Sequence, residues 1–299
     1  MKTSRKAAET IKVVVIVLCC ILFLLPVYFL IMNSFKSLNE IMISFISFPK
    51  QFTLRNYVGA MEKINYLRTF GNTLFLTVGS VILTLIVCSL AGYKFQRTKS
   101  KLSKISKSYL AIGQMVPFSV IMVPLSQILG KLGINNNLPG LLFVYCAMYI
   151  PMMTFVYSGY CDSISEQLDE AATIDGCNQF QVFFHVILPL TKPILVTMAV
   201  LAAVWTWNDL LVALIAIDQM PLMTLTRRIQ NFIGFQSGTE WDFFTASVTL
   251  AMVPIIVLYG FLQQYVQSGI TAGAVYVPTD FDTIEKAFSG VKTAEKGIK

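Results

Sequence analysis

Five stretches of this sequence run for more than twenty residues without a charged side chain: 13–35, 69–93, 108–130, 132–161 and 243–279. No other feature constrains the fold as strongly. A hydrocarbon core about 30 Å thick is crossed by about 20 mostly apolar residues in a helix. Lipid offers backbone N–H and C=O groups no partners, so a span must satisfy them internally. The runs are continuous, unlike the alternating strands of roughly ten residues in a membrane β-barrel. The sequence therefore reads as an all-α integral membrane protein. Its charged fraction of 13% is about half the quarter usual in soluble domains.

Six spans are expected, near 13–32, 70–92, 109–130, 141–160, 194–217 and 244–266. Pro26, Pro117, Pro124, Pro151 and Pro254 fall within or beside them, as kinks that neighbouring helices can tolerate. The Asn/Pro/Gly-rich stretch 134–140 reads as a turn. Lys2, Arg5, Lys6 and Lys12 precede the first apolar run as they would in a signal peptide. That run continues too long and lacks a small-residue cleavage site, so it reads as a retained span.

The basic residues set orientation. Lys94, Arg97, Lys99, Lys101, Lys104 and Lys107 crowd the loop after the second span, which carries no acid. With the N-terminal cluster and Lys286, Lys292, Lys296 and Lys299 at the other end, they mark the cytoplasmic side. Loops 33–68, 131–140 and 218–243 then face outward. The expected organisation is a cytoplasmic N-terminus (1–12), a membrane domain (13–276) and a cytoplasmic tail (277–299), where Thr279 or Asp280 could cap a short amphipathic helix. The net charge of +7 is accounted for by this asymmetry and does not suggest nucleic-acid binding, which favours basic residues mixed with aromatics on one face. Six cysteines without a CxxC pair, and His185 as the sole histidine, give no metal site and no disulfide framework.

One cytoplasmic segment stands out. Residues 163–193 are acidic, helix-forming and broken by Gly176. Ser163 and Glu166 have capping-box spacing. Leu168, Ala171 and Ala172 share a face, with Glu170 directed elsewhere. Gly176 sits where a helix ends, and Asn178 can cap a second helix bearing Phe180, Phe183, Phe184 and Ile187 at helical spacing up to Pro189. A helix pair lying on anionic headgroups would favour Lys and Arg. Small alanines beside acids suit docking to another protein.

The stretch EAATIDGCNQFQVFFHVILPLTKP resembles the EAA loop of binding-protein-dependent ABC importer permeases through Glu170, Ala171, Ala172, Asp175, Gly176, Ile187 and Pro189. Ser165 departs from the proline that many relatives carry at the helix start. FGNTLFLTVGSVILTLIVCSLAGYKFQR (70–97) and WNDLLVALI (207–215) resemble the carbohydrate-uptake class, and GITAGAVYVP (269–278) resembles the second permease subunit of the maltose-transporter type. The resemblance implies an ABC importer type I permease in a prokaryotic inner membrane, forming half of a pore for sugars. It implies a second permease, two ATP-binding subunits that hold ATP and Mg, and a solute-binding protein. Leu168, Glu170, Ala171, Ala172, Asp175, Gly176 and Phe183 would meet the ATPase. Trp205, Asn208 and Asp209 would line the substrate pathway, and Asn231, Gly234 and Gln236 would touch the binding protein. The sequence has no G-x-x-x-x-G-K-[ST] of its own. The competing reading is a stand-alone secondary transporter that uses Asp209, drawn near the middle of the fifth span, as its ion-coupling group.

Overall fold

The computed structural model describes residues 2–234 and 238–274. Gln236 and the tail 277–299 lie outside the described residues. Four described helices are long and apolar enough to cross a membrane: Glu9–Ser34 within Lys2–Ser34, Tyr66–Arg97, Leu138–Asp162, and Trp241–Phe261 within Trp241–Ala274. A fifth candidate is a bent pair, Gln179–Leu190 and Lys192–Asn208, whose axes turn through 78°.

Two expected spans are corrected. The third is not a single helix over 109–130 but two, Lys101–Gly113 and Phe118–Leu132. Pro117 separates them, since it has no N–H and biases the preceding residue away from helix. At 1.5 Å per residue, the 15 residues of Phe118–Leu132 extend only about 22 Å, short of a full crossing. The fifth expected span, 194–217, breaks after Asn208 and resumes as Leu211–Ala216. Asp209 is therefore at a helix break and not near the middle of a span.

The chain divides into two compact units. Among the described residues, one comprises those up to Phe75, Leu129–Leu138 and those within Trp207–Leu258; the other comprises Leu76–Ile128, Pro139–Thr206 and 259–274. The first unit holds loop 33–68, residues 131–138 and the described part of loop 218–243. The second holds the basic stretch 93–107 and the acidic loop 163–193.

In the first unit, Ile64, Trp207, Leu225 and Phe232 form a buried cluster against Tyr66, Phe70, Phe243 and Phe244. The Trp207 indole N–H donates to Ala251 O at 3.0 Å, satisfying the one polar atom that an apolar core would strand. Val13 through Leu18 and Ile21 through Leu25 on the first helix are all exposed apolar side chains. In a bilayer that surface requires acyl chains or another apolar helix.

The second unit holds its helices together with hydroxyls and a small residue. Ser80 and Tyr149 both reach Thr206 Oγ1, at 2.9 and 3.0 Å, and Tyr157 Oη meets Thr191 Oγ1 at 2.9 Å. A Cβ on Gly92 would lie 3.1 Å from both Thr154 O and Ser158 N, so hydrogen is the only substituent that leaves room for this backbone approach. Small residues and interhelical hydroxyls are the usual means of association between membrane helices. The Tyr157–Thr191 bond fixes the bend from which the acidic loop returns to the membrane helices.

Candidate functional site: the 163–193 loop

The loop contains a short helix, Gln167–Ile174, a glycine turn, and a second helix that starts at Gln179. The expected Ser163–Glu166 capping box does not form. Ser163 Oγ instead donates to Tyr160 O at 2.6 Å, and Ser165 Oγ accepts from Gln167 N at 3.3 Å. The other end follows expectation. Gly176 has φ +91°, Cys177 N–H donates to Ala172 O and Gly176 N–H to Thr173 O, both at 3.0 Å. This is a Schellman closure. Asn178 and Gln181 then form a reciprocal capping box at 3.0 and 2.8 Å.

The second helix departs from the predicted spacing because Val182–Ile187 is a π-helical turn, which advances each side chain by less than an α-helical step. Val182, Phe183 and Ile187 are buried, whereas Phe180 and Phe184 are exposed at 70% and 51%. Phe183 therefore packs inside the chain, 5.4 Å from the Tyr93 ring, and is not a surface contact. His185 Nδ1 lies 3.0 Å from Gln181 O.

The first helix also differs from its predicted face. Of Leu168, Ala171 and Ala172, only Ala172 is buried; Leu168 and Ala171 are exposed. The inward side is completed by Asp169, an acid that hydrophobic periodicity does not single out. Its Oδ2 pairs with Arg97 Nε at 2.7 Å, and its Oδ1 accepts from Tyr93 Oη at 2.6 Å. Arg97 also donates to Ile164 O at 3.0 Å and Cys161 O at 3.4 Å. Lys99 pairs with Glu166 at 3.0 Å, and Lys94 donates to Gln179 at 3.2 Å. Part of the loop's acidity thus matches the acid-free basic stretch 94–99 of the same chain. Glu170, Ile174 and Asp175 remain exposed, Ile174 at 85%. A cavity of about 440 Å³ opens beside Glu170, with Lys94, Lys99, Glu166 and Gln179 among its walls.

A polar chain lies nearby. Lys107 Nζ donates to Gln96 Oε1 at 2.8 Å, and Gln96 Nε2 donates to Asp162. Burial lowers the Lys107 pKa from the ordinary lysine value, and Asp162 opposes that shift.

The predicted pathway and outer residues have the following surroundings. Trp205 is exposed at 39% and lies 5.5 Å from the Tyr149 ring. Asn208 is exposed and Asp209 half-buried. Asp209 Oδ2 accepts from Ala213 N at 3.0 Å and Oδ1 from Val212 N at 3.4 Å, so its carboxylate caps Leu211–Ala216. Asn231 is exposed and accepts from Arg227 at 3.1 Å; Gly234 is half-buried.

Residues 84–272 match the family described as binding-protein-dependent transport system inner membrane component. The chain belongs to this permease family. The match includes the whole acidic loop, and as a family member the chain is a transporter subunit of the inner membrane and not an enzyme. The permease is 35% identical to the probable starch degradation products transport system permease AmyC of Thermoanaerobacterium thermosulfurigenes, over 85% of this chain and 92% of that one. It is 32% identical to the melibiose/raffinose/stachyose import permease MelC of Bacillus subtilis, over 92% and 99%. A crystallised bacterial ABC transporter that imports the acidic polysaccharide alginate shares its fold, with TM-score 0.77 and 21% identity over 88% of this chain and 97% of that one.

Proposed function

We propose that this permease forms half of the pore of an ATP-driven importer for sugars or oligosaccharides, and that its 163–193 loop docks onto a separate ATP-binding subunit. The carrying observation is the division of side chains in the loop. Asp169, Ala172, Val182, Phe183 and Ile187 are turned into the permease, while Leu168, Glu170, Ala171, Ile174, Phe180 and Phe184 form an outward surface. Exposed apolar side chains beside the exposed acids Glu170 and Asp175 suit a protein groove, and an anionic headgroup layer would repel those acids. The sugar class is supported by the relatives, which are named for starch products and for melibiose, raffinose and stachyose.

The complete transporter comprises a second permease, two ATP-binding subunits that hold ATP and Mg, and an outer solute-binding protein. Loop 163–193 and both chain termini face the cytoplasm. The acidic loop shares a unit with the basic stretch 93–107 and not with loops 33–68 and 131–138, which supports this orientation for the loop; the basic N-terminal cluster supports it for the N-terminus. Asn231, Gly234 and Gln236 contact the binding protein; Trp205 and Asn208 line the sugar's route. Asp209 is better explained as a helix cap than as an ion-coupling carboxylate, which disfavours a stand-alone secondary transporter.

The test substitutes Glu170→Lys. Docking predicts normal membrane insertion, loss of the co-purifying ATPase and loss of uptake. Undiminished ATPase recovery with undiminished uptake would refute docking through this surface.

A further inference from the structure

The docking surface accounts for the outward face of the loop but not for what lies behind it. A force applied to an eight-residue helix on a connecting loop moves the pore only if that helix is held to the spans. Backbone connection alone is compliant. Residues 163–166 are non-helical, and the Gly176–Cys177 turn separates the two loop helices. The hold must come from side chains.

The candidates reduce to one cluster. Lys99–Glu166 is a solvent-exposed pair, with side chains 77% and 48% accessible, and pairs of that kind contribute little. The Lys94–Gln179 bond is exposed as well. Arg97 differs in burial and connectivity. Its side chain is 13% accessible and that of Asp169 18%. One guanidinium at the C-terminal end of the Tyr66–Arg97 helix binds three places: Cys161 O near the end of the Leu138–Asp162 helix, Ile164 O in the linker, and the Asp169 carboxylate of the loop helix. Tyr93, one helical turn before Arg97, occupies the other Asp169 oxygen and packs on Phe183 of the second loop helix. The planar fork of arginine can serve several acceptors at once; a lysine ammonium lacks that fixed geometry.

We infer that Arg97, Asp169 and Tyr93 form a mechanical pin that locks the docking loop to the ends of two spans, so that loop displacement becomes span displacement. These are positioning residues. The Asp169 carboxylate is turned to its own chain: Oδ1 accepts from Tyr93 Oη, and Oδ2 lies in ionic contact with Arg97 Nε at 2.7 Å. The inference rests on the docking role proposed for the loop. It adds that docking and transmission are separable: the outward residues determine whether the ATPase binds, and the pin determines whether binding does work on the pore.

The experiment uses the complete transporter in proteoliposomes with its binding protein, measuring ATPase co-purification and sugar imported per ATP hydrolysed. Arg97→Gln and Asp169→Asn are expected to retain the ATPase and to hydrolyse ATP, while sugar per ATP falls by roughly 5-fold or more, the lower range of coupling between sites. The double variant is expected to be no worse than the poorer single one, because both remove the same link. Tyr93→Phe and Arg97→Lys are milder and are expected to lower the same ratio by less, which keeps the test valid if Arg97→Gln fails to assemble. An unchanged ratio in the single variants would overturn the pin. Loss of the ATPase in parallel with uptake would also overturn it, by showing that the cluster only shapes the docking surface. Failure of the docking reading itself is recognised separately, by Glu170→Lys retaining both ATPase and coupled uptake.

Discussion

Gly176→Val perturbs the turn between the two loop helices with no steric complication. Nothing lies within 4 Å of a Cβ built at this position, so the effect comes entirely from the backbone. At φ +91° an L-residue is in the left-handed region, at a cost of roughly 1–2 kcal/mol. Valine belongs at the upper end of that range because β-branched residues are genuine outliers there. Relaxation of the turn would break the two 3.0 Å closing bonds, Cys177 N–H to Ala172 O and Gly176 N–H to Thr173 O. If the free loop relaxes, the native turn must be restored on docking, and 1–2 kcal/mol corresponds to a factor of roughly 5–30 in the equilibrium. The assay is titration of the ATP-binding subunit onto the purified permease in nanodiscs. The variant is expected to bind roughly 5–30-fold more weakly than the parent and to lose uptake in proportion. Gly159→Ala is the control. Its added Cβ also meets open space, but it lies inside the Leu138–Asp162 helix, where alanine is favoured by roughly 0.5–1 kcal/mol, so it is expected to bind normally. Native affinity and native uptake for Gly176→Val would refute the link between turn geometry and docking.

Asp209→Ala removes the acceptor for Val212 and Ala213 N–H and is expected to lower stability by about 1 kcal/mol in thermal unfolding, whereas Asp209→Asn, which can also cap, is expected to stay close to the parent; an ion-coupling role would instead make both variants equally inactive. Gly92→Val forces a side chain against Thr154 O and Ser158 N and is expected to cost roughly 1–3 kcal/mol, seen as reduced recovery of folded permease. Lys63→Ala removes an exposed pair with Glu240 and a cation–π contact 4.2 Å from the Phe243 centroid, so the thermal midpoint should change little, by the equivalent of about 1 kcal/mol. Asn231→Ala with Gly234→Ala is expected to reduce the stimulation of ATP hydrolysis by the binding protein, measured in the reconstituted complex.

What the sequence revealed, and what it hid, follows from the kind of physics involved. Charge-free runs report transfer into lipid, an additive property, and so four long helices were legible. The third and fifth expected spans failed at Pro117 and at Asn208–Asp209, where local backbone geometry overrides apolarity. In the loop, Gly176 and Asn178 were legible because turn and cap chemistry depends on neighbouring residues. The π-helical turn was not, since Val182, Phe183 and Ile187 become the inward set only after the backbone winds wider than an α-helix. Asp169 was hidden for a different reason: its partners, Arg97 and Tyr93, lie more than seventy residues earlier. The available hint was a basic stretch without any acid, which orientation alone already explained.

The central claim, that this chain transports sugar only as part of an ATP-driven assembly, is tested most directly by uptake into proteoliposomes. The permease would be reconstituted with its partner permease and ATP-binding subunits, ATP supplied on the ATPase side and the sugar-loaded binding protein on the other. The account predicts uptake that requires both ATP and the binding protein and that stops when the ATPase is omitted. Uptake by the permease alone, driven by an ion gradient and indifferent to ATP, would contradict it.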